Sequence, residues 1–166
     1  GGEPFAQAEG LLQLLQAAKR LGLHTAIETS GNTAIENIMV AEPYTDLFLF
    51  DLKHCNAEIF YEITGGDLPL ILRNLSVLAN KFPEKITLRV PVIPTFNFDE
   101  ETMKGIFQLA IERNIEKVEL LPYHTLGKGK YAQMGLRYLL QDVPSLTSED
   151  LQHYRQLGTQ MGLIVT

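Results

Sequence analysis

The chain has 166 residues, one cysteine, and 14 Lys and Arg against 20 Asp and Glu, for a net charge of −6. This length suits one domain with a sizeable core, and 45% hydrophobic residues exclude a disordered chain. The acidic balance, the absence of an apolar run near ~18 residues and the absence of a signal-peptide pattern give no expectation of nucleic-acid or membrane partners, and a cytoplasmic protein is the expectation that fits them.

Helical and strand patterns alternate along the chain. Leu11, Leu14, Leu15, Ala18 and Leu21 recur at helical spacing, with Lys19 and Arg20 in the last turn and Gly22 after it. His24–Thr29 reads as a short strand and Ser30-Gly31 as a turn. Thr33 with Glu36 predicts a capping box for a short helix that stops before Pro43. Leu47–Phe50 is a continuous apolar run, as in a strand buried on both faces. Asn56 caps a predicted helix over Ala57–Ile63, closed by Gly65-Gly66. Asp67 caps a longer one that turns Leu72, Leu75, Val77 and Leu78 toward the core. Ile86–Ile93 reads as a strand despite Pro91, which marks its end or a bulge. Phe98-Asp99 predicts a staple and cap for a helix to about Arg113. Val118–Leu121 is a further strand. After the stretch 122–147, Ser148 caps a helix through Met161, and Leu163–Val165 is a last short strand.

Five strands alternating with helices predict an α/β fold with a mostly parallel sheet and outer helices. The opening Gly1-Gly2-Glu3-Pro4 reads as a strand-to-helix turn with no strand before it. The expectation is therefore that at least one upstream strand is missing, and that residues 1–166 are a piece of a larger sheet or barrel.

In parallel folds, functional groups collect in loops that leave the carboxyl ends of strands. Here those places hold Gly1–Pro4, Glu28–Gly31, Asp51–His54, Ile93–Thr95 and Pro122–His124. Glu3 reads first as a helix-start carboxylate, and otherwise as a partner for a ligand ammonium. Glu28 and Asp51 are either a carboxylate pair for a cation or polar ligand, or rim charges paired with Lys53. Arg89 either points inward, where it needs an anionic partner, or snorkels outward. His124 is a candidate for a sugar hydroxyl or adenine, or a structural histidine. Lys128–Tyr131 is a basic loop, and Cys55 reads as an inert thiol.

Taken in order, GGEP at 1–4, ETSGN at 28–32, LFDLKH at 49–54, ITGGDLPLILRNL at 63–75, LRVPVIPTFN at 88–97 and LLPYHTLGKGKY at 120–131 resemble the radical S-adenosylmethionine enzymes that activate glycyl radical enzymes, of the pyruvate formate-lyase activating type. The resemblance implies an incomplete (β/α) barrel, a partial TIM barrel of the radical S-adenosylmethionine type, of which residues 1–166 would form, as a single domain, the C-terminal portion. It also implies that Gly2 and Glu3 hold the methionyl amino group of S-adenosylmethionine. Glu28, Thr29, Asp51 and Lys53 would form a polar site near its carboxylate, with a monovalent cation at Glu28 and Asp51 in some relatives. Glu28 stands where the family has Asp. Arg89 and Val90 match a strand near the adenosine and substrate, and His124 a ribose- or adenine-proximal histidine. The loop around Gly127–Tyr131 resembles a region facing the partner.

The family's C-x-x-x-C-x-x-C, which binds a [4Fe–4S] cluster upstream of the Gly-Gly-Glu turn, does not occur in this chain. No cluster and no catalytic residue is therefore expected in it. About two strands and the cluster loop are expected to lie outside it, and the chain alone is expected to be inactive. The implied whole enzyme cleaves S-adenosylmethionine reductively and takes hydrogen from a backbone glycine of a partner, with a flavodoxin or ferredoxin as electron donor. Two other readings stay open: a radical S-adenosylmethionine enzyme acting on a small molecule, and a non-catalytic α/β binding domain.

Overall fold

The computed structural model of the chain describes residues 2–125 and 143–166. Five strands, β1 (Ala26–Thr29), β2 (Leu47–Asp51), β3 (Ile86–Val92), β4 (Lys117–Pro122) and β5 (Ile164–Val165), lie side by side in chain order. Every pairing is parallel, with Phe48 opposite both Ile27 and Ile86, Arg89 opposite both Asp51 and Glu119, and Val118 opposite Val165. The connecting helices are α1 (Ala8–Arg20), α2 (Ile35–Ala41), α3 (Ala57–Thr64), α4 (Leu68–Ala79), α5 (Glu100–Ile111) and α6 (Gln152–Gln160). Crossovers of one hand, taken always to the next strand along, carry the helices to one face of the sheet.

Burial follows from that arrangement. Ile27, Phe48, Phe50, Ile86, Leu88, Val90, Val92, Val118 and Leu120 point to the helical face and are buried. The alternate residues, Leu47, Leu49, Asp51, Thr87, Arg89, Pro91, Glu119 and Leu121, are only half-buried. The continuous apolar run of β2 thus has one dry face and one that stays partly open. Each large core side chain, such as Phe48 or Phe50, contributes roughly 1.5–3 kcal/mol through burial.

Three predicted caps form. Asn56 Oδ1 accepts from Glu58 N and Ile59 N, Asp67 Oδ1 from Leu70 N, and Asp99 Oδ1 from Thr102 N. Two do not. Thr33 is kept in the turn, its N–H donating to Gly31 O and its carbonyl accepting from Asn74 Nδ2, so α2 starts after Ala34 with no side-chain cap. The last helix enters through Thr147, which exchanges hydrogen bonds with Asp150, and not through Ser148. Asp99 gives α5 its predicted start, while the first helix is preceded by a 3-10 turn over Pro4–Gln7.

Opposite the site, at the amino ends of the strands, Asp46 binds Lys19 and accepts from Thr25 N, tying α1 to the sheet. At the carboxyl ends the loop after β1 closes on the core at Gly31. Its φ is +71°, and a Cβ there would lie 2.1 Å from Phe50 Cζ. We expect Gly31→Ala to cost roughly 2–4 kcal/mol, the sum of left-handed strain and overpacking, in chemical denaturation. A variant as stable as the parent would show that the turn does not depend on its seat against Phe50.

Candidate functional site

The carboxyl ends of β1 and β2 and the first turn of the chain enclose a cleft of about 520 Å³, lined by Gly2, Glu3, Pro4, Leu11, the strand from Ala26 to Ser30, Asp51 and Lys53. Glu3 organises its wall. Oε1 accepts from Thr29 Oγ1 at 2.7 Å and from Phe5 N at 3.3 Å, while Oε2 accepts from Ser30 Oγ at 2.7 Å and Ser30 N at 2.9 Å. Glu3 thus caps the opening turn and also faces the cleft. Gly2, at φ +116° with open space where a Cβ would stand, leaves the backbone approachable.

Across the cleft Lys53 Nζ lies 3.3 Å from Asp51 Oδ2, while Asp51 Oδ1 is buried and has no hydrogen-bond partner among the described residues. Burial pushes the Asp51 carboxyl above its ordinary range; Lys53 opposes that shift, and Glu28 adds to it. An unmatched buried acceptor beside an ammonium is a built polar site, because such an atom costs free energy until something donates to it.

Arg89 points to the half-open face and finds its anions there. Its Nη1 lies 2.8 Å from Glu28 Oε2 and its Nε 2.9 Å from Glu119 Oε2, the second an ion pair outside hydrogen-bond angles. Glu28 is therefore committed to Arg89 and not to Asp51. Among the described residues no three His, Cys, Asp or Glu side chains converge to hold a metal ion. Glu28 and Asp51 both line the cleft, Glu28 paired with Arg89 and Asp51 beside Lys53.

Gly2, Glu3, Glu28, Thr29, Asp51 and Lys53 are brought together at the cleft, with Arg89 beside them through Glu28. Val90 is not. Successive strand residues point to opposite faces, so the Val90 side chain lies fully buried under the helices, outside the cleft lining. His124 is exposed beyond β4 and outside the cleft lining. Cys55 is half-buried, its Sγ 3.9 Å from Thr102 O, and burial raises its thiol pKa, in keeping with an unreactive side chain. Gly1 and Lys128–Tyr131 lie outside the described residues.

Four residues that carry this geometry were not picked out from the sequence. Ser30 completes the Glu3 clamp, and Glu119 pairs Arg89. Asn74, buried in α4, donates to Gly31 O at 2.9 Å and Thr33 O at 2.7 Å, pinning the loop after β1. Asn97 pins the ends of β2 and β3 in the same way. A polar residue inside a run such as LRNLSVL was the available signal for Asn74; the PTFNF segment gives no comparable periodic signal for Asn97.

The cleft suits an amino-acid moiety. Glu3 offers two carboxylate oxygens whose hydroxyl partners can rotate away, and Lys53 offers a cation to a carboxylate. S-adenosylmethionine fits that donor set at its methionyl end. A [4Fe–4S] cluster does not fit these residues, since the chain has a single cysteine and it lies outside the cleft lining.

The raised pKa of Asp51 has a consequence for stability. The folded chain holds that proton more tightly than the unfolded chain, so ionisation costs stability as pH rises from the ordinary value of 3.8 through the higher folded value. Asp51→Asn should therefore gain on the parent as pH rises through that interval, in denaturation curves taken across a pH series. A difference that stays flat or shrinks with pH would contradict the assigned burial.

The chain is similar to curated proteins over nearly its whole length. It is 41% identical over 157 residues to the choline trimethylamine-lyase activating enzyme of Oleidesulfovibrio alaskensis, covering 92% of this chain and 50% of that protein. It is 33% identical over 166 residues to the pyruvate formate-lyase 2-activating enzyme of Escherichia coli, covering 100% and 56%. It is 35% identical over 164 residues to the 4-hydroxyphenylacetate decarboxylase activating enzyme of Clostridioides difficile, covering 98% and 52%. The chain thus spans about half the length of the curated relatives it matches. No protein-family model matches it. Among solved structures, a domain of pyruvate-formate lyase-activating enzyme from Bacteroides vulgatus superposes with a TM-score of 0.80 at 24% identity, covering 100% of this chain and 94% of that one. A radical SAM methyltransferase from Sphaerobacter thermophilus gives 0.72 at 14% identity, covering 99% and 48%. These two share the fold, a parallel partial barrel of the radical S-adenosylmethionine type. By its sequence the chain belongs to the activating enzymes of glycyl radical enzymes, of which it spans about half.

Proposed function

We propose that the protein carrying this chain activates a glycyl radical enzyme, and that the cleft between Glu3 and Lys53 holds the methionyl end of S-adenosylmethionine. The observation that carries this reading is the pairing of two opposite binding groups across one cleft. Glu3 is aimed by Thr29 and Ser30, and Lys53 stands beside the unmatched Asp51 Oδ1. An ammonium and a carboxylate on the same carbon satisfy both walls at once.

When bound and reductively cleaved, S-adenosylmethionine supplies a 5′-deoxyadenosyl radical that takes hydrogen from a backbone glycine of the partner. This chain's residues bind and orient the molecule and exclude water from it. The [4Fe–4S] cluster that delivers the electron belongs, on this reading, to a part of the protein outside these residues, and a flavodoxin or ferredoxin supplies the electron in the cytoplasm. The partner is of the pyruvate formate-lyase type or a related glycyl radical enzyme. The edge of β1 supports the reading of residues 1–166 as the C-terminal part of the barrel. Among the described residues no strand pairs with that edge, and Leu14, Leu21 and Leu23 are exposed on and just after α1.

Glu3→Gln in the full-length protein keeps the size of the side chain, removes its charge and turns one acceptor into a donor facing the backbone N–H of Phe5 or Ser30. Loss of one charge-assisted contact, about 1.5–3 kcal/mol, should lower the yield of 5′-deoxyadenosine roughly 10- to 100-fold with iron content unchanged. An unchanged yield would overturn the role given to Glu3.

A further inference from the structure

The sheet is split at its carboxyl rim. Strands β2 and β3 are in register through Asp51 opposite Arg89, and one more bond follows, from Leu52 N to Arg89 O at 2.9 Å. In a parallel ladder the N–H of residue 91 is the next donor toward β2. Residue 91 is proline and has no N–H, so the ladder stops there. Strand β3 stays joined to its other neighbour, with Tyr123 N donating to Val92 O at 3.1 Å.

Asn97 fills the split. It is fully buried, and its amide bonds to the ends of both strands. Nδ2 donates to Lys53 O at 2.7 Å and to Pro91 O at 2.9 Å, and Oδ1 accepts from Ile93 N at 2.6 Å. One side chain thus replaces a ladder bond with a longer bridge and fixes the backbone from which the Lys53 ammonium reaches Asp51.

We propose that Asn97, together with Pro91, is a positioning wedge that parts β2 from β3 and sets Lys53 at the cleft. The proposal rests on the reading of that cleft as the S-adenosylmethionine site. The wedge explains why a proline is tolerated inside a sheet strand. Its missing donor faces β2 at the point where the ladder has to end for Lys53 to turn toward the ligand.

Two substitutions in the full-length protein separate positioning from bulk stability. Asn97→Ala removes the bridge and is expected to lower both the unfolding midpoint and the affinity for S-adenosylmethionine. Pro91→Ala restores an N–H that can donate to Leu52 O and draw the strands together. It is expected to keep the fold, judged by circular dichroism and the unfolding midpoint, while weakening S-adenosylmethionine about tenfold in calorimetric titration. That split between retained fold and lost affinity is not produced by a residue that only stabilises the core. If the parent binds S-adenosylmethionine and Pro91→Ala binds it equally well, the wedge is overturned and the cleft stands. If the parent itself does not bind, the reading of the cleft fails and the positioning role falls with it.

Discussion

Among the described residues the helices cover one face of the parallel sheet and leave the other half-buried, and much of this molecule follows from that. The half-buried face has to tolerate charge, and the charges placed there have to be answered locally. Arg89 sits mid-sheet on that face and draws Glu28 from β1 and Glu119 from β4. The same constraint leaves room at the carboxyl rim, where Glu3, Thr29, Ser30, Asp51 and Lys53 gather. The cleft sits at the carboxyl ends of β1 and β2, above the core that the same strands build on their helical face.

The rim holds its shape through internal polar pins. Asn74 fastens the loop after β1, Asn97 fastens the ends of β2 and β3, and Glu3 binds the opening turn to Thr29 and Ser30. Each is a buried or partly buried group whose loss would leave backbone carbonyls or amides unpaired. Loops held in this way position functional groups more sharply than free loops do, which suits a site that must orient a small molecule and keep water away. Asp51 is the exception. Among the buried side-chain atoms of the described residues, its Oδ1 is an acceptor in the cleft wall left without a partner, and it marks where a ligand or its hydration would donate.

Much of the fold was legible because it is written in local chemistry. The order of strands and helices followed from periodicity, the caps at Asn56, Asp67 and Asp99 from their side chains, and the tight turn at Gly31 from glycine itself. The rim clusters were legible because polar residues stood at the ends of apolar runs. What escaped was tertiary. Thr33 lost its expected cap because Asn74, about 40 residues away, claims its carbonyl. The face of Val90 depended on strand phase, which a run of apolar residues does not reveal. The partners of Arg89 come from two other strands, and Pro91 made sense only when the end of β2 was seen beside it.

The central claim is that the rim cleft binds S-adenosylmethionine through its methionyl end. Amide hydrogen exchange of the full-length protein, with and without S-adenosylmethionine, tests it most directly. Binding there is expected to bring new protection concentrated at Gly2–Glu3, Thr29–Gly31 and Leu52–His54. Protection that leaves these three segments unchanged while appearing elsewhere in the chain would contradict it.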